Sequence, residues 1–248
     1  LRSQWSIIYM LFYLITGSVL LYMSHDISRA TVSLMNVTLM LTPLIGTIFS
    51  VMNYYNSREF IELLLAQPVK RSRIFLGMYL GISFSLALSL AVGMMLPFVF
   101  YGVFGQENAS GFYILLLSGV FLTFIFTGLT FFIAMSNDNK LKGFGIAMLL
   151  WLMMAFVYDG IFLISLMLLK DYPIENYSIA VSLFNPIDLS RILIMLKLDM
   201  SVLMGYTGAV YSKFFGSGMG MIISFSALAI WTSIPVWLII HKGNRNDF

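Results

Sequence analysis

Of the chain's 248 residues, 60% are hydrophobic and only 10% are charged, whereas a soluble domain carries about 25% charged residues. This composition, with a mean hydropathy of +0.92, excludes a soluble globular protein and indicates a protein of the lipid bilayer. The net charge of +3 does not indicate nucleic-acid binding, because the basic residues form short clusters between apolar runs. The absence of cysteine excludes disulfides, thiolate metal sites and cysteine nucleophiles.

Six apolar runs follow one another along the chain. A helix needs about 20 mostly apolar residues to cross the hydrocarbon core, and each run reaches that length. We therefore predict an all-α polytopic membrane protein, with one transmembrane domain over residues 1–248. Its spans are predicted at residues 4–23, 32–52, 74–103, 112–135, 144–169 and 218–240. The chain begins with Leu1 rather than Met, and we expect further residues to precede it.

Lysine and arginine in the loops predict the orientation. If the N-terminus is cytoplasmic, nine of these residues lie inside and Arg29 alone lies in the short outer loops. The remaining four fall in the long outer segment 170–217, where the rule does not count them. Both termini are therefore predicted to be cytoplasmic.

The cytoplasmic loop 53–73 is too elaborate for a simple connector. Residues 59–67 are predicted to form a short helix that Pro68 ends. Arg58 and Glu62 lie one turn apart, and basic residues follow Pro68. Such a helix can dock into a groove on a soluble partner, or it can rest among lipid headgroups with the basic residues acting as topology signals. The residues alone favour neither interpretation.

The outer segment 170–217 contains a second helix-like stretch, residues 186–204. This stretch is mostly apolar, and Asp188, Arg191 and Asp199 cluster at one helical angle. We predict a helix that lies along the membrane surface and packs partly on the spanning helices.

Asp159 falls near the middle of the fifth predicted span, where an ionised carboxylate costs about 2.5–3.5 kcal/mol on insertion scales. One interpretation is an ion or proton site, or a residue lining a pathway. The other is a protonated or hydrogen-bonded carboxyl group that fixes helix packing, with Tyr158 or Asn36 as partner. The sequence shows no obvious partner for this acid, which favours the structural interpretation.

Catalysis by this chain is not expected. The sequence contains no Walker-type phosphate-binding motif and no glycine-rich dinucleotide motif, and its two histidines are predicted on opposite sides of the membrane. Thioethers bind Cu(I), but Met195, Met200 and Met204 of the outer segment do not form a cluster on one helical face. We therefore predict no metal ligands in this chain.

Two stretches resemble a known family. The cytoplasmic loop resembles the coupling-helix region of ABC-2 type transporter permeases over residues 58–74, REFIELLLAQPVKRSRI. The six-span layout, with a long outer segment before the last span, is similar to the type V exporter-like fold of that family. Residues 185–217 resemble the corresponding segment of the permease in the nitrous oxide reductase maturation transporter (the NosY type), NPIDLSRILIMLKLDMSVLMGYTGAVYSKFFGS.

This resemblance implies a multi-pass subunit of the bacterial inner membrane. It implies a homodimer that binds two copies of a separate cytoplasmic ATPase and a periplasmic β-helical copper-handling protein. ATP and Mg²⁺ then belong to the ATPase, and copper to the partners. The ATPase contact is expected at Arg58, Glu59, Glu62, Gln67, Pro68 and Arg71. The periplasmic contact is expected at Asn185, Asp188, Arg191 and Tyr206.

The function implied is transmission of movement from the ATPase to the periplasmic partner, during maturation of the reductase's copper centre. One alternative is an ABC-2 exporter that moves another small molecule, a lipid or an ion. An exporter needs polar residues along a continuous path, and the spans carry few beyond Asp159. A second alternative is a non-transporting membrane anchor that scaffolds an assembly, which has no need of the docking loop.

Overall fold

The computed structural model describes residues 4–24, 26–67, 69–102, 109–168, 175–198 and 218–245. Within these ranges the regular structure is entirely helical. The helices in chain order are α1 (Gln4–Ser24), α2 (Ile27–Asn56), α3 (Arg58–Leu65), α4 (Arg71–Phe100), α5 (Ala109–Met135), α6 (Lys140–Leu152), a π-helical segment (Met153–Val157), α7 (Tyr158–Leu168), α8 (Glu175–Leu183), α9 (Pro186–Lys197) and α10 (Gly218–Arg245). The predicted site residues Pro68 and Tyr206 lie outside the described residues.

Six helices are long and apolar enough to cross a membrane, in agreement with the six predicted spans. They are α1, α2, α4, α5, the continuous run from α6 through the π-helical segment into α7, and α10. Several of these helices extend past the predicted limits. The reason is that a helix begins and ends at its capping groups, which lie beyond the edges of the apolar run. Helix α2, for example, begins after Asp26, whose carboxylate accepts a hydrogen bond from the Ser28 amide at 2.8 Å.

Helix α5 forms the centre of the bundle. It packs against α2, α4, α6, α9 and α10, and it is the most buried of the six spans. Its Thr127 hydroxyl donates to the Thr123 carbonyl and lies 2.7 Å from the Ser83 hydroxyl of α4. The Ser50 hydroxyl of α2 donates to the Thr127 carbonyl at 2.7 Å. Small hydroxyl residues thus let α2 and α4 approach α5 closely and bond to it.

Helix α1 lies against α4 and reaches α2 through buried tyrosines. The Tyr13 hydroxyl lies 2.8 Å from the Thr42 hydroxyl, and Tyr9 donates to the same hydroxyl at 3.4 Å. All three residues are buried. These contacts join the first two spans inside the apolar core.

We expect Tyr13→Phe to lower the free energy of unfolding by about 1 kcal/mol, because Thr42 keeps only the longer bond from Tyr9. Unfolding in mixed micelles measures this change. Tyr101→Phe, at the exposed end of α4, is the control and should shift stability by less than about 0.5 kcal/mol. Equal effects of the two substitutions would contradict a buried hydroxyl contact.

Helix α9 packs on the spanning helices, and its position along the membrane surface stays a prediction. It contacts α2, α5 and α10, and Ile187, Leu193 and Ile194 are all buried. It meets the preceding helix α8 at an angle of 115°. The charged side chains of Asp188 and Arg191 on this helix pair with each other at 3.0 Å.

Candidate functional site

The short helix α3 lies between the end of α2 and the start of α4. It begins one residue before and ends two residues before the predicted helix 59–67. Only Ile61 is buried, whereas Phe60 and Leu63 are 58% and 69% exposed. The predicted contact residues Glu59, Glu62 and Gln67 are exposed as well. Helix α3 therefore presents apolar and acidic side chains together on a surface that no described part of the chain covers.

Arg58 ties α3 to the loop between α5 and α6. Its guanidinium lies 3.5 Å from the Glu62 carboxylate and 3.9 Å from that of Asp138, and it donates to the Asp138 carbonyl at 3.4 Å. All three side chains are at least half exposed. Exposed pairs of this kind contribute about 0–1 kcal/mol, so they orient α3 without deciding whether the protein folds.

The same end of the bundle holds a cleft of about 560 Å³ beneath α3. The Tyr55 hydroxyl donates to the Asn137 carbonyl at 2.7 Å beside it, and Lys242 of α10 lines its far side. Arg71, the first residue of α4, is half-buried at this end. The ends of α2, α5 and α10 thus lie together with the start of α4, as expected when successive spans run in opposite directions.

A second group of polar residues lies between α7 and α9. The Nη1 atom of Arg191 donates to Oδ2 of Asp159 at 2.8 Å and to Oδ1 of Asp188 at 3.0 Å. Asp159 therefore has a charged partner that the sequence did not indicate, in place of Tyr158 or Asn36. It lies in the first turn of α7, near the middle of the continuous helical run 140–168, as predicted.

Asn185 organises the start of α9. Its side-chain oxygen accepts from the Ile187 amide at 3.0 Å, which makes it the N-cap of the helix. Its Nδ2 atom donates to Oδ2 of Asp188 at 3.2 Å and to the Met154 carbonyl at 2.9 Å. Asn185 is fully buried, and these bonds occupy both its donor and its acceptor.

The Met154 carbonyl belongs to the π-helical segment, which sequence reasoning missed. A π-turn widens the helix and is frequent at functional sites. Here it coincides with the point where span five meets Asn185. Nothing in the sequence MMAFV marks the segment, because it contains neither proline nor glycine.

A cavity of about 280 Å³ borders this network. Asn36, Phe156, Asp159 and Arg191 are among the residues that line it. Oδ1 of Asp159 is buried and has no hydrogen-bond partner among the described residues. A carboxylate oxygen in this position is costly unless a proton or a ligand neutralises it.

Asp188 lies outside the six candidate spans and is buried. Burial, followed by repulsion from the Asp159 carboxylate, raises the pKa of the Asp188 carboxyl above its ordinary value, and this outweighs the opposite influence of Arg191. The Asp188 carboxyl group therefore keeps its proton to a higher pH than an ordinary aspartate does.

The periplasmic contact expected at Asn185, Asp188 and Arg191 stays a prediction, but the structure restricts it. Asn185 and Asp188 are buried in bonds within the chain, whereas Arg191 is about one third exposed. Direct contact with a partner in this conformation is thus open to Arg191 alone among the three.

The described residues contain no group of three His, Asp or Glu side chains that could hold a metal ion. Together, the fold and these two sites define a multi-pass α-helical membrane protein with an exposed loop helix at one end. No family model matches the chain, and no curated protein matches it either.

Proposed function

We propose that this chain is the permease subunit of an ABC-2 type transporter. In this proposal it couples ATP hydrolysis by a separate ATPase to a periplasmic partner, in maturation of the nitrous oxide reductase copper centre. The proposed orientation puts both termini and α3 in the cytoplasm of a bacterial inner-membrane protein. A homodimer then carries two ATPase subunits, one on each α3.

The observation that carries this proposal is the exposure of α3. An amphipathic helix that rests on lipid headgroups typically carries Lys and Arg on its polar face. The polar face of α3 instead exposes Glu59 and Glu62, beside the exposed apolar side chains of Phe60 and Leu63. Apolar anchors with a charged surround are typical of a surface that docks into a groove on a soluble protein.

Movement of α3 has a direct path into the bundle. Arg58 contacts the α5–α6 loop, and Tyr55 bonds to the same loop. A shift of α3 when the ATPase subunits close therefore reaches α5, the central helix. Each partner biases this movement only through different affinities for the two conformations.

Glu62→Arg tests the docking surface. We expect the tagged wild-type chain, pulled down from native membranes, to bring with it an ATPase and a periplasmic β-helical protein. Glu62→Arg should lose the ATPase and its activity and keep the periplasmic protein. Asp138→Arg is the matched control, because it makes the same charge change, faces the same Arg58 and lies outside α3.

The folded yield of both variants should equal that of wild type, since the ion pairs involved are exposed. If the chain comes down alone, or if Glu62→Arg retains the ATPase, α3 is not the docking helix. Release of the ATPase by both variants would point to a general effect of charge and would contradict a contact specific to α3.

The cavity beside Asp159 favours a second candidate, an ABC-2 exporter of a small molecule, lipid or ion. It places polar side chains from α2, α7 and α9 around one space. In that case Asp159→Asn should abolish transport-linked activity while the ATPase still co-purifies. Normal activity of Asp159→Asn would leave the transmitter function as the better account.

A further inference from the structure

Arg191 faces two carboxyl groups with one guanidinium nitrogen. Its Nη1 atom lies 2.8 Å from Asp159 and 3.0 Å from Asp188. If both acids are ionised, this group carries one negative charge in excess. Two carboxylates that share one site cannot ionise with equal ease, because each disfavours the charge on the other.

The same Nη1 atom bonds to both acids, so the two carboxyl groups lie close together in a partly buried place. Oδ1 of Asp159 is buried and has no hydrogen-bond partner among the described residues. A buried oxygen without a donor costs less free energy on a neutral carboxyl group than on an ionised one.

No other described charge balances the excess. Of the helices packed against α9, α5 contains no charged residue, and α2 contributes the neutral Asn36 at the cavity. The described charge of helix α10, that of Lys242, lies in its last turn and lines the cleft beneath α3. Lys197 lies in the last turn of α9 and is exposed.

The contacts around this group attach span five to the rest of the bundle. That span is the least buried of the six, with 11% of its apolar window buried, so apolar packing holds it weakly. Polar contacts supply the attachment: Arg191 to Asp159, Asn185 to the Met154 carbonyl, and the Tyr158 hydroxyl to the Val181 carbonyl at 2.6 Å.

We propose that Asp159 and Asp188 share one proton, and that this proton clamps span five to α9. Water reaching the cavity beside Asn36 supplies the proton and receives it again. With the proton bound, the two acids and Arg191 form a neutral group. Its loss leaves two carboxylates around one guanidinium, and their repulsion loosens α7 from α9 at the π-helical segment.

Infrared difference spectroscopy tests this proposal on the full chain, purified from its membranes into lipid nanodiscs. We expect one protonated carboxyl group at neutral pH in the wild type. Asp159→Asn and Asp188→Asn should each abolish its signal, since the remaining acid then pairs alone with Arg191. Asp138→Asn, at an exposed carboxylate, is the control and should leave the signal unchanged.

Arg191→Gln should change the infrared signal in the opposite direction. Without the guanidinium neither acid has a counter-charge, so the signal should rise from one protonated carboxyl group to two. If Asp159, Asp188 and Arg191 form only a structural ion pair, the wild type has no protonated carboxyl group. Absence of the infrared signal from the wild type at neutral pH therefore overturns the proposal, even if every variant fails to fold. Survival of the signal in both Asn variants overturns it too. The readout does not depend on an ATPase partner, so it stands apart from the docking test.

Discussion

Replacing Gly93 with leucine is expected to force α1 away from α4 and to leave little folded protein. A Cβ atom at this position lies 2.5 Å from the Met10 carbonyl oxygen and 3.0 Å from Cβ of Tyr13. Neither atom can rotate away, because one belongs to the backbone and the other is fixed to it. Overpacking of a tight core costs about 1–3 kcal/mol, and a leucine against backbone exceeds what side-chain rearrangement can absorb.

Gly81→Leu is the matched control, because Gly81 lies on the same helix and a Cβ atom there meets nothing within 4 Å. Size-exclusion chromatography and thermal unfolding in detergent compare the two variants. We expect Gly81→Leu to elute and unfold like the wild type, and Gly93→Leu to aggregate. Similar behaviour of the two would mean that α1 does not approach α4 as closely as described.

Asn185→Ala should destabilise the protein by about 2–4 kcal/mol. The substitution removes an N-cap, worth about 1 kcal/mol. It also removes both donations of Nδ2, and so leaves the Met154 carbonyl and the Asp188 carboxyl group short of a donor in a buried place. Unfolding in mixed micelles measures the loss.

Asn139→Ala separates the contribution of an N-cap to stability from that of the buried hydrogen bonds of Asn185. Asn139 caps α6 in the same way, accepting from the Leu141 and Lys142 amides, but it is exposed. Its loss should cost about 1 kcal/mol. If the two substitutions cost the same, the bonds of Asn185 to span five and to Asp188 contribute nothing measurable.

The six spans were predictable because each satisfies a length and composition rule that depends on local sequence alone. The short loop helix was predictable for a similar reason: its amphipathic residues and the following Pro68 are neighbours in the chain. The exposure of Glu62 and Leu63 follows from the position of that helix between two span ends.

The polar network was not predictable, because its members are far apart in sequence. Asp159 and Arg191 are 32 residues apart, and neither carries a local mark of the other. The sequence shows that Asp188 and Arg191 share one helical angle, but it does not show that Arg191 also bonds to Asp159 of another helix. The π-helical segment is likewise set by tertiary contacts, since Asn185 binds the Met154 carbonyl there.

The burial of α9 has a consequence for how the chain is made. Its 12 residues extend about 18 Å, too short to cross the hydrocarbon core alone. Two of the helices that it contacts, α2 and α5, precede it in the chain, whereas α10 follows it. During synthesis α9 can therefore pack on α2 and α5 first, and its contact with α10 forms last.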